Sequence, residues 1–242
     1  METLDLDVVN SKLQLTEKHL DTINDLIPAS LEKLELSDLV AVRFRATDNL
    51  LNRSYGKWAA EALPVLQDLL IGLPLTLDHD WEDISKIQAL IFDSKIRKYQ
   101  APEWAIDRAG NKTVNSSIIR REGYLSLEFD AVFPVDSPAV QALRFGKLNS
   151  VSLGGFEYED HVCPLCNTSF DDDACPHLKP DKYWGVKPGL TYETAQGLRL
   201  VAPYFVRVKP RDLGEASLVV IPNYPAAGAV TAGQLKDLIN AS

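Results

Sequence analysis

Cysteine is scarce in this chain. Its 242 residues hold three, Cys163, Cys166 and Cys175, all within one short stretch. An odd, clustered set excludes a disulfide framework and points to a metal. Long apolar runs are missing too. None approaches the roughly 18–20 residues that span a bilayer, so no membrane partner is expected. Basic charge is short, with 25 Lys and Arg against 34 Asp and Glu, a net charge of −9. A pI near 5.0 sets the chain apart from general nucleic-acid binders, and no nucleic-acid partner is expected. Internal repeats and low-complexity linkers are absent. The opening Met1-Glu2-Thr3-Leu4-Asp5 is acidic and lacks the basic and apolar regions of a signal peptide. The expectation is a soluble protein made in a cytosol.

What is present fits a globular α+β chain with a proper core, at 45% hydrophobic residues. Leu13, Leu20, Ile23 and Ile27 recur near one helical face, which predicts a helical N-terminal arm over residues 1–36. Asp38 to Thr47 alternates apolar and basic residues and reads as a strand. Lys57 to Leu70 reads as a helix interrupted or restarted at Pro64. Gly72-x-Pro74 opens a short strand that ends at His79, between Asp78 and Asp80. A histidine at a strand end can serve as a general base, and flanking carboxylates favour its protonated form. A solvated loop histidine is the plainer alternative.

Ile84 to Phe92 reads as another strand, Asp93 to Asn115 as a polar loop with room for one short helix, and Ser116 to Phe133 as two strand-like runs. Asp136 or Ser137 can cap a helix from Pro138 to Phe145, which Gly146 ends. Then comes Leu148-Asn149-Ser150-Val151-Ser152-Leu153-Gly154-Gly155-Phe156. Two serines beside paired glycines suit a nucleophile presented on a tight turn, with backbone N–H groups near Gly154 and Gly155 as candidate oxyanion donors. A plain strand end is the alternative. Thr191 to Val208 holds a strand pair. Arg211 to Gly214 reads as a polar turn feeding an apolar strand that Pro222 stops, and residues 231–242 read as a C-terminal helical tail.

The cysteines stand as Cys163-x-x-Cys166 and Cys175-x-His177. The first pair makes a turn that aims two thiolates at one tetrahedral ion, and the second supplies a third sulfur and a nitrogen. Four ligands with no open position describe structural zinc, with His161 as a spare ligand. The insert is expected to span residues 157–189.

Three separated pieces, Gly72-x-Pro74…Asp78-His79-Asp80, Val151-Ser152-Leu153-Gly154-Gly155 and Gly214-Glu215-Ala216-Ser217-Leu218-Val219-x-Ile221-Pro222, occur in this order. Together they resemble the prohead (capsid maturation) serine proteases of tailed bacteriophages, relatives in fold of the herpesvirus assemblins. Some phage members are also similar in having a Cys-x-x-Cys…Cys-x-His insert after the serine. The resemblance covers about residues 38–230. It departs where many members read Ser-x-Gly-Phe and this chain reads Ser-Leu-Gly-Gly-Phe.

The resemblance implies a compact β-barrel-like α+β core with flanking helices, as a protease-like domain over residues 37–230. It implies Ser152 as nucleophile, His79 as general base and Glu215 as the acid that orients the imidazole, with Ser150 as the fallback nucleophile. It implies capsid and scaffold proteins as substrates, the chain itself as a further one, location in the procapsid within the host bacterial cytoplasm, and a homo-oligomer as a possible state. The competing expectations are a non-enzymatic phage structural or scaffolding protein on the same fold, and an unrelated zinc-stabilised binding domain.

Overall fold

The computed structural model describes residues 12–29, 31–80, 82–100, 112–169, 192–194, 197–199, 204–224 and 226–229. One mixed sheet dominates it. The main strands are β1 (Lys12–Leu13), β2 (Leu39–Asp48), β3 (Gly56–Trp58), β4 (Pro74–Leu77), β5 (Ala89–Tyr99), β6 (Tyr124–Pro134), β7 (Ser150–Val162), β10 (Phe205–Val219) and β11 (Gly228–Ala229). Their order is β1-β2-β6-β5-β4-β10-β3, with β7 paired to β10 and β11 to β2. A separate ribbon joins β8 (Tyr192–Thr194) to β9 (Gly197–Arg199). The helices are α1 (Glu17–Asp25), α2 (Leu63–Leu70), α3 (Lys112–Glu122) and α4 (Pro138–Arg144). The class is therefore α+β. Among the described residues the sheet is open rather than a closed barrel: no ladder joins β7 to β2. The short β11 reaches toward that gap from β2, and a side chain at Gly228 would press on the Asn149 carbonyl just ahead of β7.

Strand alternation sorts the residues between two faces. Phe44, Leu75, Ile91, Phe129, Val151, Leu153, Ala216 and Leu218 enter one apolar cluster with Leu63, Leu66 and Leu70 of α2. The opposite face is covered in two places. Ile23 of α1 is fully buried in a cluster with Ala41, Phe92 and Val132. Ile118 of α3 packs with Leu50, Leu51 and Tyr124. Between these covers runs a charged strip, in which Arg43 holds Asp130 through two hydrogen bonds of 2.7 Å.

Several sequence expectations are corrected here. Leu13 lies in a strand on β2, not on the helical arm, and the helix begins only after Thr16, its N-cap. Residues 56–58 form a strand beside β10, because the fully buried Trp58 is placed by tertiary pairing that local propensity does not register. The helix then runs from Leu63 with Pro64 in its first turn, where a missing N–H costs nothing. Ser116 to Glu122 belongs to α3 rather than to a strand. Its β-branched residues favour strand locally, but Ile118 is fully buried and Arg120 and Arg121 complement the helix C-terminus. The expected turn at residues 211–214 is part of β10, which carries only a bulge between Pro210 and Asp212. The Ser137 cap of α4 is observed. Residues 1–11 of the arm and the tail 231–242 lie outside the described residues.

Candidate functional site

Three strands set a polar row on the face away from the core. β4 and β10 run parallel with Thr76 opposite Ser217. β10 and β7 run antiparallel, with Ser217 opposite Ser152 and Glu215 opposite Gly154. Leu75, Ala216, Leu218, Val151 and Leu153 alternate with these positions and point into the core. Thr76, Glu215 and Ser217 are fully buried despite facing outward.

Beyond β4 the chain turns sharply. Asp78 and His79 both take left-handed backbone conformations, with φ of 52° and 61°. Such values are uncommon for residues other than glycine and persist where the surroundings fix them. Here the Asp78 N–H donates to Leu218 O at 3.0 Å, the Asp80 N–H to Leu77 O at 3.0 Å, and the His79 N–H to Ser217 Oγ at 2.8 Å. The turn thus folds His79 back over β10.

That fold-back sets His79 Nδ1 against Glu215 Oε1, and Thr76 Oγ1 donates to Glu215 Oε2. Both oxygens of the buried carboxylate are thereby engaged. The hydrogen bond from the His79 ring to Glu215 raises the His79 pKa above 6.5; burial opposes this, and the charges of Glu215 and Asp78 add to it. With Nδ1 occupied, Nε2 is the nitrogen left for chemistry. The ring is 41% exposed, and among the described residues Nε2 has no hydrogen-bond partner.

Ser152 completes a four-cornered patch formed with Ser217, Glu215 and Gly154. The His79 backbone sits on the Ser217 corner. Its ring covers the edge between Glu215 and Gly154: a Cβ on Gly154 would lie 2.7 Å from His79 Nδ1 and 3.1 Å from Cε1. Any side chain there displaces the ring or the carboxylate, so glycine is required by space. The remaining corner is Ser152, half-buried and about 7 Å along the strand from Gly154 at ordinary strand rise. Ser150 lies about 13 Å from Gly154 on the same basis, and its hydroxyl donates to Asn149 Oδ1 at 3.4 Å. The register therefore separates the two serines.

Ser152 sits inside a continuous strand, not on the tight turn expected for it. The Ser-His-acid positions are assembled by strand register and by the left-handed turn at Asp78-His79. Of the two expected oxyanion donors, Gly154 faces the His79–Glu215 pair, whereas Gly155 is exposed with φ of 67°.

β7 runs on to Val162, directly before Cys163, so the first residues of the expected 157–189 insert continue this strand. Cys163 is buried and Cys166 exposed, and neither is in a disulfide. The Asn167 N–H donates to Cys163 O at 2.8 Å and the Cys163 N–H to Thr168 O at 2.9 Å. Asn167 has φ of 56°, and Ser169 returns to bridge Val162. This tight Cys-x-x-Cys turn fits a pair of metal ligands. Among the described residues no group of three or more His, Cys, Asp or Glu is placed to hold an ion. Cys175 and His177 lie outside the described residues, as does the side chain of the spare ligand His161.

Two site residues were not foreseen, Thr76 and Ser217. Their signal was present: each stands between apolar residues of a buried strand, where a hydroxyl demands a partner. Among the described residues, no helix is long and apolar enough to cross a membrane. Comparison with protein-family models, with curated proteins and with solved structures returns no match to this chain.

Proposed function

We propose that the chain is a serine endopeptidase in which Ser152 is the nucleophile, His79 the general base and Glu215 the orienting acid. One observation carries this reading: a buried carboxylate holds His79 by Nδ1 over Gly154, two residues from Ser152 on the same strand, and so leaves Nε2 unengaged. In the reaction, His79 Nε2 accepts the Ser152 proton while Oγ attacks a peptide carbonyl. The tetrahedral intermediate collapses as His79 returns that proton to the leaving amine. Water then enters, gives a proton to His79 and frees the acid from Ser152, and the proton returns to Oγ. Glu215 keeps its charge throughout and stabilises the imidazolium.

The substrates proposed are the scaffold and capsid proteins of a phage procapsid, with self-cleavage as a further activity. The resemblance of the three ordered motifs to the prohead proteases supports this. So does a sheet that curls from β2 round to β7, the assemblin-like, barrel-like element of the reading. Zinc on Cys163, Cys166, Cys175 and His177 has a folding role at the far end of β7 and takes no part in the chemistry.

Co-expression with the cognate capsid or scaffold protein tests the activity. Intact masses should show discrete cleavage with the wild type and none with Ser152→Ala. Cleavage by both variants would remove Ser152 from the role, and cleavage by neither would favour a structural protein on the same fold.

A further inference from the structure

The hydrogen bonds around His79 close into a circuit. Its backbone N–H donates to Ser217 Oγ at 2.8 Å, and Ser217 Oγ lies 3.0 Å from Thr76 Oγ1. Thr76 Oγ1 reaches Glu215 Oε2, and Glu215 Oε1 returns to the His79 ring. The direction follows from donor counting. The ionised carboxylate only accepts, so the single Thr76 proton goes to Glu215. Ser217 must then donate its own proton to Thr76, which leaves its lone pair for the His79 N–H. Each hydroxyl is used once as donor and once as acceptor, and both side chains are fully buried.

We propose that Thr76 and Ser217 are positioning residues that fix the backbone and ring of His79 relative to Glu215. The kinetic part of this rests on the protease reading above; the geometric part stands without it. Two non-glycine residues in left-handed conformations need something to hold them, and Ser217 supplies the bond at His79 itself. Thr76 occupies the second carboxylate oxygen, so Glu215 cannot rotate off the ring without breaking a buried hydrogen bond. The charged groups facing the ring are Glu215 from β10 and Asp78 on its own turn. Thr76 on β4 and Ser152 and Gly154 on β7 bring no charge, so the hydroxyls act by geometry.

Full-length variants separate this from simple packing. Thr76→Val keeps the shape and removes the hydroxyl, whereas Thr76→Ser keeps the hydroxyl. Ser217→Ala removes the acceptor for the His79 amide. Thr76→Val and Ser217→Ala should lower kcat on the order of 10- to 100-fold with KM unchanged, and Thr76→Ser should retain the wild-type kcat. The His79 amide should exchange slowly in the wild type and rapidly in Ser217→Ala. The proposal is overturned if kcat survives in Thr76→Val and Ser217→Ala, if Thr76→Ser falls as far as Thr76→Val, if KM carries the change, or if Ser217→Ala leaves exchange slow.

If the wild type cleaves nothing, the protease reading fails, and the proposal is decided by amide exchange and the His79 Nδ1 proton resonance. A resonance kept in Thr76→Ser and lost in Thr76→Val supports it; one unchanged in Thr76→Val overturns it. If Thr76→Val does not fold, Ser217→Ala, with Thr76→Ser as its folded partner, gives the same decision.

Discussion

His79 gathers most of the proposed chemistry at the residue scale, and on that proposal its protonation should make activity and stability run in opposite directions. The general base must be neutral, so kcat/KM should rise with pH through a midpoint above 6.5, the value that Glu215 raises. Folding is favoured by the protonated form. Its contribution is fully present below the unfolded value and is lost as pH rises through the folded one. Glu215→Gln removes the charge and leaves at most a neutral, weaker hydrogen bond to the ring, while burial remains. The acid limb should then move down to 6.5 or below, which a pH–rate profile reads directly.

Gly154 and Gly155 offer a contrast between space and strain. Gly154→Ala places a Cβ against the Glu215 carboxylate and the His79 ring, and should abolish activity. Gly155→Ala strains a backbone with φ of 67° at an exposed position, so it should cost about 1 kcal/mol in denaturant unfolding and leave the His79–Glu215 pair in place. Equal loss of activity in both would place the collision elsewhere.

Asp48 is a second titrating residue, buried and pushed up to about 6 by desolvation. The folded state holds its proton longer than the unfolded state does. Stability should therefore fall as pH rises between about 4 and 6, and level off above. Asp48→Asn keeps an acceptor for the Leu50 N–H at 2.9 Å and should flatten that slope in urea titrations at stepped pH.

Among the elements, the N-terminal arm carries the clearest expectation for stability. β1 adds to the edge of β2, and Ile23 of α1 is fully buried on the sheet beside Phe92. Ile23→Ala should cost about 2–5 kcal/mol by chemical denaturation. A change within error would mean that the arm is not docked in solution. The arm also shows how far a sequence reading reaches. Ile23 and the helix were legible from 3.6-residue spacing, but Leu13 was not, because a two-residue strand exists only through its partner. α3 was hidden for a related reason: Lys112–Glu122 has strand-like residues, and only burial of Ile118 against Leu50 and Tyr124 selects the helix. His79, Ser152 and Glu215 could be picked out because each stands in a motif. Thr76 and Ser217 gave only the fainter signal of a hydroxyl between apolar strand residues, and which partners they meet lies in a register between β4 and β10 that no local pattern encodes.

Across the whole molecule, one ladder links two ends of the fold. β7 and β10 pair from Ser150 opposite Val219 to Val162 opposite Val206, so the polar row and the Cys163 turn share one continuous ribbon. On the proposed reading, zinc at that turn would serve folding. The purified protein should hold one equivalent of zinc, and chelation or Cys163→Ser should lower Tm. Metal analysis showing no zinc, with unchanged Tm under chelator, would assign the cysteine turn to ordinary hydrogen-bonded structure. The open gap between β2 and β7, with β11 beside it, leaves the sheet curled but unclosed among the described residues.

The most direct test of the central claim is mapping of a fluorophosphonate adduct on the full-length protein by intact mass and peptide sequencing. The account predicts a single adduct on Ser152, abolished in His79→Ala and slowed in Glu215→Gln. An adduct on Ser150, or one on Ser152 that forms equally well without His79, would contradict it, and so would a folded protein that forms none.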